Sequence, residues 1–297
     1  MNAFLHIDFP ALAAALLALV GCGTLGNWLV LRKEAMTGDA IAHAVLPGLV
    51  AGFLVTGTRS VAAMFLGAAL AGVGAILLAG WVRARTKTGA AAALGIVFTA
   101  CFALGVALLE TRGARQVDLD PECVLFGSLE TLFYVVPAEG SWIAGVPRAI
   151  WSLAAAACVA LTFTAMFAKE LTLLSFDREF ARFSGVAPRA LERALLIVVS
   201  ACVVASFEAV GSVLVIAFLA CPALIAAPHA RSVRGQIALS LAAGAAIATG
   251  AYFLAAFAPQ LFGARSALNA AGMISAALAA AVPLSHIARS MLNRRRA

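Results

Sequence analysis

Charge is scarce in this chain. Only 12% of its 297 residues are charged, against roughly 25% in a soluble domain, and 63% are hydrophobic with a mean hydropathy of +1.01. A water-soluble globule is excluded, and the pattern predicts an all-α, polytopic integral membrane helix bundle embedded in a lipid bilayer. Lysine is almost missing. Lys33, Lys87 and Lys169 follow Arg32, Thr86 and Ala168, so the G-x-x-x-x-G-K-[ST] loop cannot occur and the chain has no P-loop with which to hydrolyse ATP. H-E-x-x-H and G-x-S-x-G are absent too, and no second aspartate lies in an apolar run opposite Asp39, which excludes an intramembrane aspartyl protease. No C-x-x-C pair exists. Cys22, Cys101, Cys158, Cys202 and Cys221 lie in apolar runs and Cys123 outside them, so they read as small core residues, with no disulfide framework or cysteine-bound metal cluster. No Lys or Arg precedes the first apolar run, and Arg32 and Lys33 follow it. This reverses a signal peptide's order, so the run is expected to stay in the mature protein.

What is present is a series of apolar runs. A membrane span needs about 20 apolar residues, and candidates fall near 11–31, 40–56, 60–82, 90–109, 149–168, 193–207, 209–228, 236–257 and 267–288. The sixth is short and can be half of a broken helix, so eight or nine spans are expected. Pro222 and Pro283 fall inside the seventh and ninth. The backbone groups they free need protein partners, which predicts that both helices pack inside the bundle. Gly48, Gly52, Gly67, Gly72, Gly74, Gly244 and Ala248 supply small residues for close helix approach.

The net charge of +7 lies between apolar runs, which points to topology and not to nucleic acid. With nine spans and the N-terminus outside, sixteen of the twenty-one Lys and Arg residues fall in inner segments, at 32–33, 83–87, 169–193, 231–234 and 289–296. The other five are Arg59, Arg112, Arg115, Arg148 and Arg265. This asymmetry predicts an outside N-terminus and a cytoplasmic C-terminus, with the whole of 1–297 as one membrane domain. The outer loop 110–148 is net acidic, and a negative mouth concentrates cations.

Two stretches carry candidate chemistry. Asp39 and His43, in TGDAIAHAVLPG (37–48), share a helix face about 6 Å apart along the axis. A carboxylate and an imidazole so placed make half of a divalent-cation site. A membrane carboxylate costs roughly 2.5–3.5 kcal/mol on insertion scales, so it usually has a purpose. Asp39 could equally be a helix N-cap, and His43 a packed core histidine. Leu46, Val50 and Phe53 continue the stripe as a possible gate or as plain packing. The second stretch is the cytoplasmic segment 171–192. Asp177 can cap a short helix and Gly185 can end it. Phe176, Phe180 and Phe183 fall at i, i+4 and i+7 as an aromatic ridge, suited to lipid headgroups or to a groove on a cytoplasmic partner. Glu208, His229, His286 and His6 carry no clear signal.

The chain resembles the permease subunits of the manganese, zinc and iron ABC importer family. The resemblance covers most of the length and rests on residues 26–52, 95–109, 117–127, 176–186 and 210–226, above all on GDxxxH and FDxExAxxxG. It implies that Asp39 and His43 ligate the ion in transit. It also implies that Asp177 to Gly185, with Glu179, Ala181 and Gly185 fitting E-x-A-x-x-x-G, forms the helix that docks on the ATPase. Ala42 stands where relatives often carry Ser, and Pro222-Ala-Leu-Ile-Ala226 departs from the family's Pro-Ala-Ala-Thr-Ala. The implied protein is a multi-pass subunit of the bacterial cell membrane without catalytic residues or a permanently bound cofactor. Its partners would be a cytoplasmic ATPase, an extracytoplasmic metal-binding protein and a second copy of itself. An O/N ligand pair suits Mn²⁺, Zn²⁺ or Fe²⁺ over Cu⁺. The rival readings are an ion-coupled secondary metal transporter that needs no ATPase and a non-transporting membrane assembly factor.

Overall fold

The computed structural model describes residues 4–57, 61–86, 88–110, 127, 129–134, 145–261 and 268–294. Cys123 and most of the 110–148 loop lie outside these residues. Among the described residues every regular element is helical. A π-helical turn, Phe4–Asp8, leads into α1 (Phe9–Leu31), followed by α2 (Ala35–Thr56), α3 (Val61–Arg85), α4 (Ala90–Leu109) and a 3₁₀ turn at Leu129–Thr131. Then come α5 (Arg148–Met166), α6 (Ala168–Phe176), α7 (Arg178–Phe183), α8 (Pro188–Ala226), α9 (Val233–Leu261) and α10 (Ala270–Arg294). Among the described residues eight helical segments are long and apolar enough to cross a membrane, counting the two parts of α8 separately, and α4 adds a shorter apolar one.

Helix α8 settles the weak sixth span. It is one unbroken run of 39 residues except at Gly211, whose φ of 76° and ψ of 165° are non-helical. Only glycine adopts that backbone without a Cβ penalty. The contacts show what the break does. Glu192 pairs with Arg32 and Ser206 lies against Cys22, so the first arm runs antiparallel to α1. Phe218 and Leu219 then lie against Gly23 and Gly26. In a straight helix Ser206 and Leu219 would stand about 20 Å apart. Both instead meet the single turn of α1 from Cys22 to Gly26, so α8 folds back on itself at Gly211. The sequence reading placed two spans here, and the structure makes them the arms of one hairpin. The first arm is longer than expected because helix starts at Pro188, where proline suits a first turn.

The hairpin and α1 form the centre. Trp28 and Phe218 are the largest fully buried side chains in the core. Asn27 Nδ2 donates to Ser240 Oγ on α9 at 2.7 Å, and Trp28 Nε1 donates to Thr164 Oγ1 on α5 at 3.3 Å. Helix α2 packs on α3 with Gly48 against Gly67 and Gly52 against Ala63. One expectation fails. Pro222 is buried beside Gly244, but Pro283 is exposed on α10. Within this chain α10 lies at the edge, with 28% of its span buried.

The basic segments meet at one end of the bundle. Arg32, Lys33 and Arg83 line one small cavity with Glu192, and Lys169 and Arg234 line a groove beside Trp28. At the opposite end, the backbone N–H of Tyr134 donates to His6 O, and Tyr252 Oη donates to Asp8 Oδ1.

Candidate metal centre and docking helix

The α1–α2 turn is only three residues long. The N–H of Glu34 donates to Leu29 O at 2.8 Å and that of Lys33 to Val30 O at 3.0 Å. These are the two bonds of a Schellman turn. Lys33 takes the left-handed position, φ 60°, where glycine is usual, a strain of roughly 1–2 kcal/mol. The chain is helical again from Ala35. Asp39 therefore lies in the second turn of α2, which rules out the N-cap reading. Its carboxylate reaches His43 instead, with Nε2 to Oδ1 at 3.3 Å. Both side chains are partly open, 33% and 22% exposed.

Helix α4 builds the other wall. The His43 ring lies 4.9 Å from Phe98 and 5.6 Å from Phe102. The imidazole is thus held between a carboxylate and two aromatic rings. Pro47, buried inside α2, has no N–H, so the His43 carbonyl lacks its usual i+4 donor. Leu46 and Val50 are buried against Phe102 and Leu108, and Phe53 is buried as well. Among the described residues no group of three or more His, Cys, Asp or Glu side chains comes together. The described residues bring one carboxylate and one imidazole together here, whereas a transition-metal site takes four or more ligands.

Segment 171–192 forms at the same end as Arg32. Asp177 Oδ1 accepts from the Phe180 N–H at 2.9 Å and caps α7. Gly185, at φ 82°, closes it, with Gly185 N–H to Arg182 O and Val186 N–H to Ala181 O, again a Schellman turn. Ala181 is buried, and Glu179 on the same short helix is exposed. The aromatic ridge needs correction. Asp177 is extended (φ −144°, ψ 99°), so Phe176 ends α6 and does not share a helix with Phe180 and Phe183. The i, i+4, i+7 spacing ignored the cap between them. All three rings are nonetheless exposed, at 70%, 57% and 89%.

A link between the two regions was not visible in the sequence. Arg178 of α7 pairs with Glu192 Oε2 at 2.9 Å, Glu192 Oε1 with Arg32 Nη2 at 3.1 Å, and Arg32 with Glu34 Oε2 at 3.1 Å. Arg32 is 8% exposed. A charged path thus runs from α7 to the residue before α2. Fourteen positions separate Arg178 from Glu192, and no helical periodicity joins Glu192 to Arg32. The one available signal was the presence of two acids, Glu34 and Glu192, among basic segment ends.

The remaining titratable side chains are placed outside this path. His229 Nε2 lies 3.1 Å from Ser285 Oγ, which donates to Ile225 O and ties α8 to α10. His286 is exposed. His6 lies beside Tyr134. The Glu208 side chain is outside the described residues. Cys22, Cys101, Cys158, Cys202 and Cys221 are free thiols.

Three comparisons bear on this arrangement. The ABC 3 transport family model matches residues 5–281. The manganese transport system membrane protein MntD of Bacillus subtilis is 37% identical over 249 residues, 82% of either chain. The zinc transport system membrane protein TroD of Treponema pallidum is 34% identical over 208 residues, 70% of this chain and 56% of TroD. Among solved structures, PsaBC from Streptococcus pneumoniae in complex with Fab superposes with a TM-score of 0.74 at 25% identity, covering 93% of this chain and 89% of that one.

Proposed function

The chain belongs to the ABC 3 transport family, and we propose that it is the membrane permease subunit of an ABC importer moving a divalent transition-metal ion, manganese, zinc or iron, into the cytoplasm. The observation that carries this reading is the Asp39–His43 pair at 3.3 Å inside a membrane helix. It occurs in a chain matched over most of its length to a manganese-system protein.

The pair supplies one carboxylate and one imidazole, and a second copy of the chain would bring the set to four. Such an O/N set holds Mn²⁺, Zn²⁺ or Fe²⁺ and must also release the ion, as a transit site does. The aromatic wall of Phe98 and Phe102 keeps the imidazole facing Asp39. Leu46, Val50 and Phe53, further along α2, would form the apolar gate. The basic end faces the cytoplasm, as Lys and Arg bias favours. There Phe180 and Phe183, with Phe176 beside them, dock into a groove on a separate ATPase, and a metal-binding protein delivers the ion from outside. When the ATPase moves α7, Arg178 draws on Glu192, and Glu192 draws on Arg32 at the turn that starts α2. The displacement thereby reaches the helix that holds the metal pair.

The test uses the chain with its ATPase in proteoliposomes and labelled Mn²⁺ or Zn²⁺. Asp39→Asn and His43→Ala are expected to stop uptake while the complex still assembles. Uptake persisting in both makes the pair structural. Phe180→Ala is expected to abolish ATPase association with membrane insertion intact. Glu192→Gln is expected to keep association and ATP hydrolysis but lower metal transported per ATP. Transport by this chain without any ATPase would overturn the importer reading.

A further inference from the structure

Away from the metal pair, a groove of about 890 Å³ opens between α1, α5, α6 and α9. Its walls include Thr24 and Trp28 of α1, Thr164 of α5, Lys169 of α6, and Arg234 and Leu241 of α9. The charge in it is confined to one end. Lys169 and Arg234, both exposed, lie at the basic end of the bundle. Leu241, seven residues on, lies about 10 Å deeper along α9. The polar groups deeper in the wall are already engaged. Thr24 donates to Val20 O at 2.6 Å, Thr172 donates to Ala168 O at 2.6 Å, and Trp28 Nε1 donates to Thr164. These hydroxyls keep some hydrogen-bonding capacity, but apart from them and from Lys169 and Arg234 the lining side chains are apolar. No carboxylate lines the groove, and among the described residues neither cation has an acidic partner.

An occupant must therefore be apolar over about 10 Å and anionic at one end. We propose that this groove is a binding site for one anionic phospholipid, with its acyl chain along Leu161 and Leu241 and its headgroup between Lys169 and Arg234. Apolar slots of this size suit extended hydrocarbon. Each basic residue near an anionic headgroup favours it by roughly fivefold, so two together select an anionic over a zwitterionic lipid by about tenfold or more. The site also gives a role to Lys169, which meets no acid among the described residues. The bound lipid would brace α5 and α6 against α9, next to the docking helix and separate from the Asp39–His43 pair. The proposal requires only that the bundle sit in a membrane, so it stands whether or not the transport reading does.

The experiment is native mass spectrometry of the full chain purified from membranes, with equal amounts of phosphatidylglycerol and phosphatidylcholine added. The parent is expected to retain phosphatidylglycerol about tenfold more than phosphatidylcholine. The Lys169→Gln/Arg234→Gln variant, changed only at exposed side chains, is expected to hold both lipids equally. Ala238→Trp, which fills the groove from α9, is expected to lose both while eluting as the parent does. Equal retention of the two lipids by the parent overturns the proposal. So does an unchanged preference in the double variant. Absence of any retained lipid, as expected if a partner chain covered the groove, overturns it as well.

Discussion

Helices α1 and α3 have nearly equal mean hydropathy, 1.9 and 2.1 over their apolar windows, yet the bundle buries 67% of the first window and 22% of the second. In water such a contrast would be costly. In a bilayer it is not, because lipid tails solvate leucine as well as another helix does. Hydropathy drives both helices into the membrane and is silent about which one becomes the centre. The choice is made by how closely backbones can approach. Gly21, Gly23 and Gly26 of α1 meet the backbone of α5, the Leu241 side chain of α9 and the α8 backbone at Phe218 and Leu219. Helix α3 has glycines too, but its close contacts lie along one edge, Gly67 on Gly48 and Gly72 near Ser200, while Gly74 and Gly80 meet nothing. Leu66, Leu70, Leu77 and Trp81 are left outward, facing lipid or another chain.

Substitutions on the two helices separate these explanations. The largest effect is expected from Gly26→Leu, because a Cβ there collides with the Leu219 backbone carbonyl. Size-exclusion of detergent-purified protein should show loss of the folded species. Gly48→Leu comes next. A Cβ there strikes the Gly67 backbone and Ala71, so α3 and α2 must part, with a fall in thermal stability and in metal uptake while the α1–α8 centre survives. Asn27→Leu is expected to cost only about 1 kcal/mol or less. Ser240 keeps its bond to Ile237 O, and Asn27 Oδ1 has no partner to lose. Gly74→Leu should leave the melting temperature unchanged. If Gly74→Leu proved as damaging as Gly26→Leu, burial in this single chain would be the wrong guide to packing, and α3 would have to sit against a second subunit.

Much of this was legible in the residues themselves. Nine apolar runs coincide with helical segments, because a span must satisfy its own backbone and so announces itself by length and composition. The cap at Asp177 and the stop at Gly185 were legible because both are local hydrogen-bond geometry. Asp39 and His43 were legible as a pair because four residues make one helical turn. Two local readings failed where a neighbouring bond intervened. The short α1–α2 turn started α2 early and moved Asp39 off the cap, and the extended cap residue Asp177 parted Phe176 from Phe180. Phe98 and Phe102 were hidden, since nothing in α4 marks which of its faces meets α2.

The sequence by itself determined that this is a membrane-spanning helical chain, roughly where each helix begins and ends, and which carboxylate and imidazole can share a face. Those properties depend on transfer from water to lipid and on bonds spanning a few residues. Only the tertiary structure decided that α8 doubles back at Gly211, that α1 is central and α3 peripheral, and that Glu192 joins α7 to the turn before the Asp39–His43 pair. Those outcomes turn on ångström-scale approach between residues far apart in the chain, 213 positions for Asn27 and Ser240, and composition and periodicity carry no record of such distances.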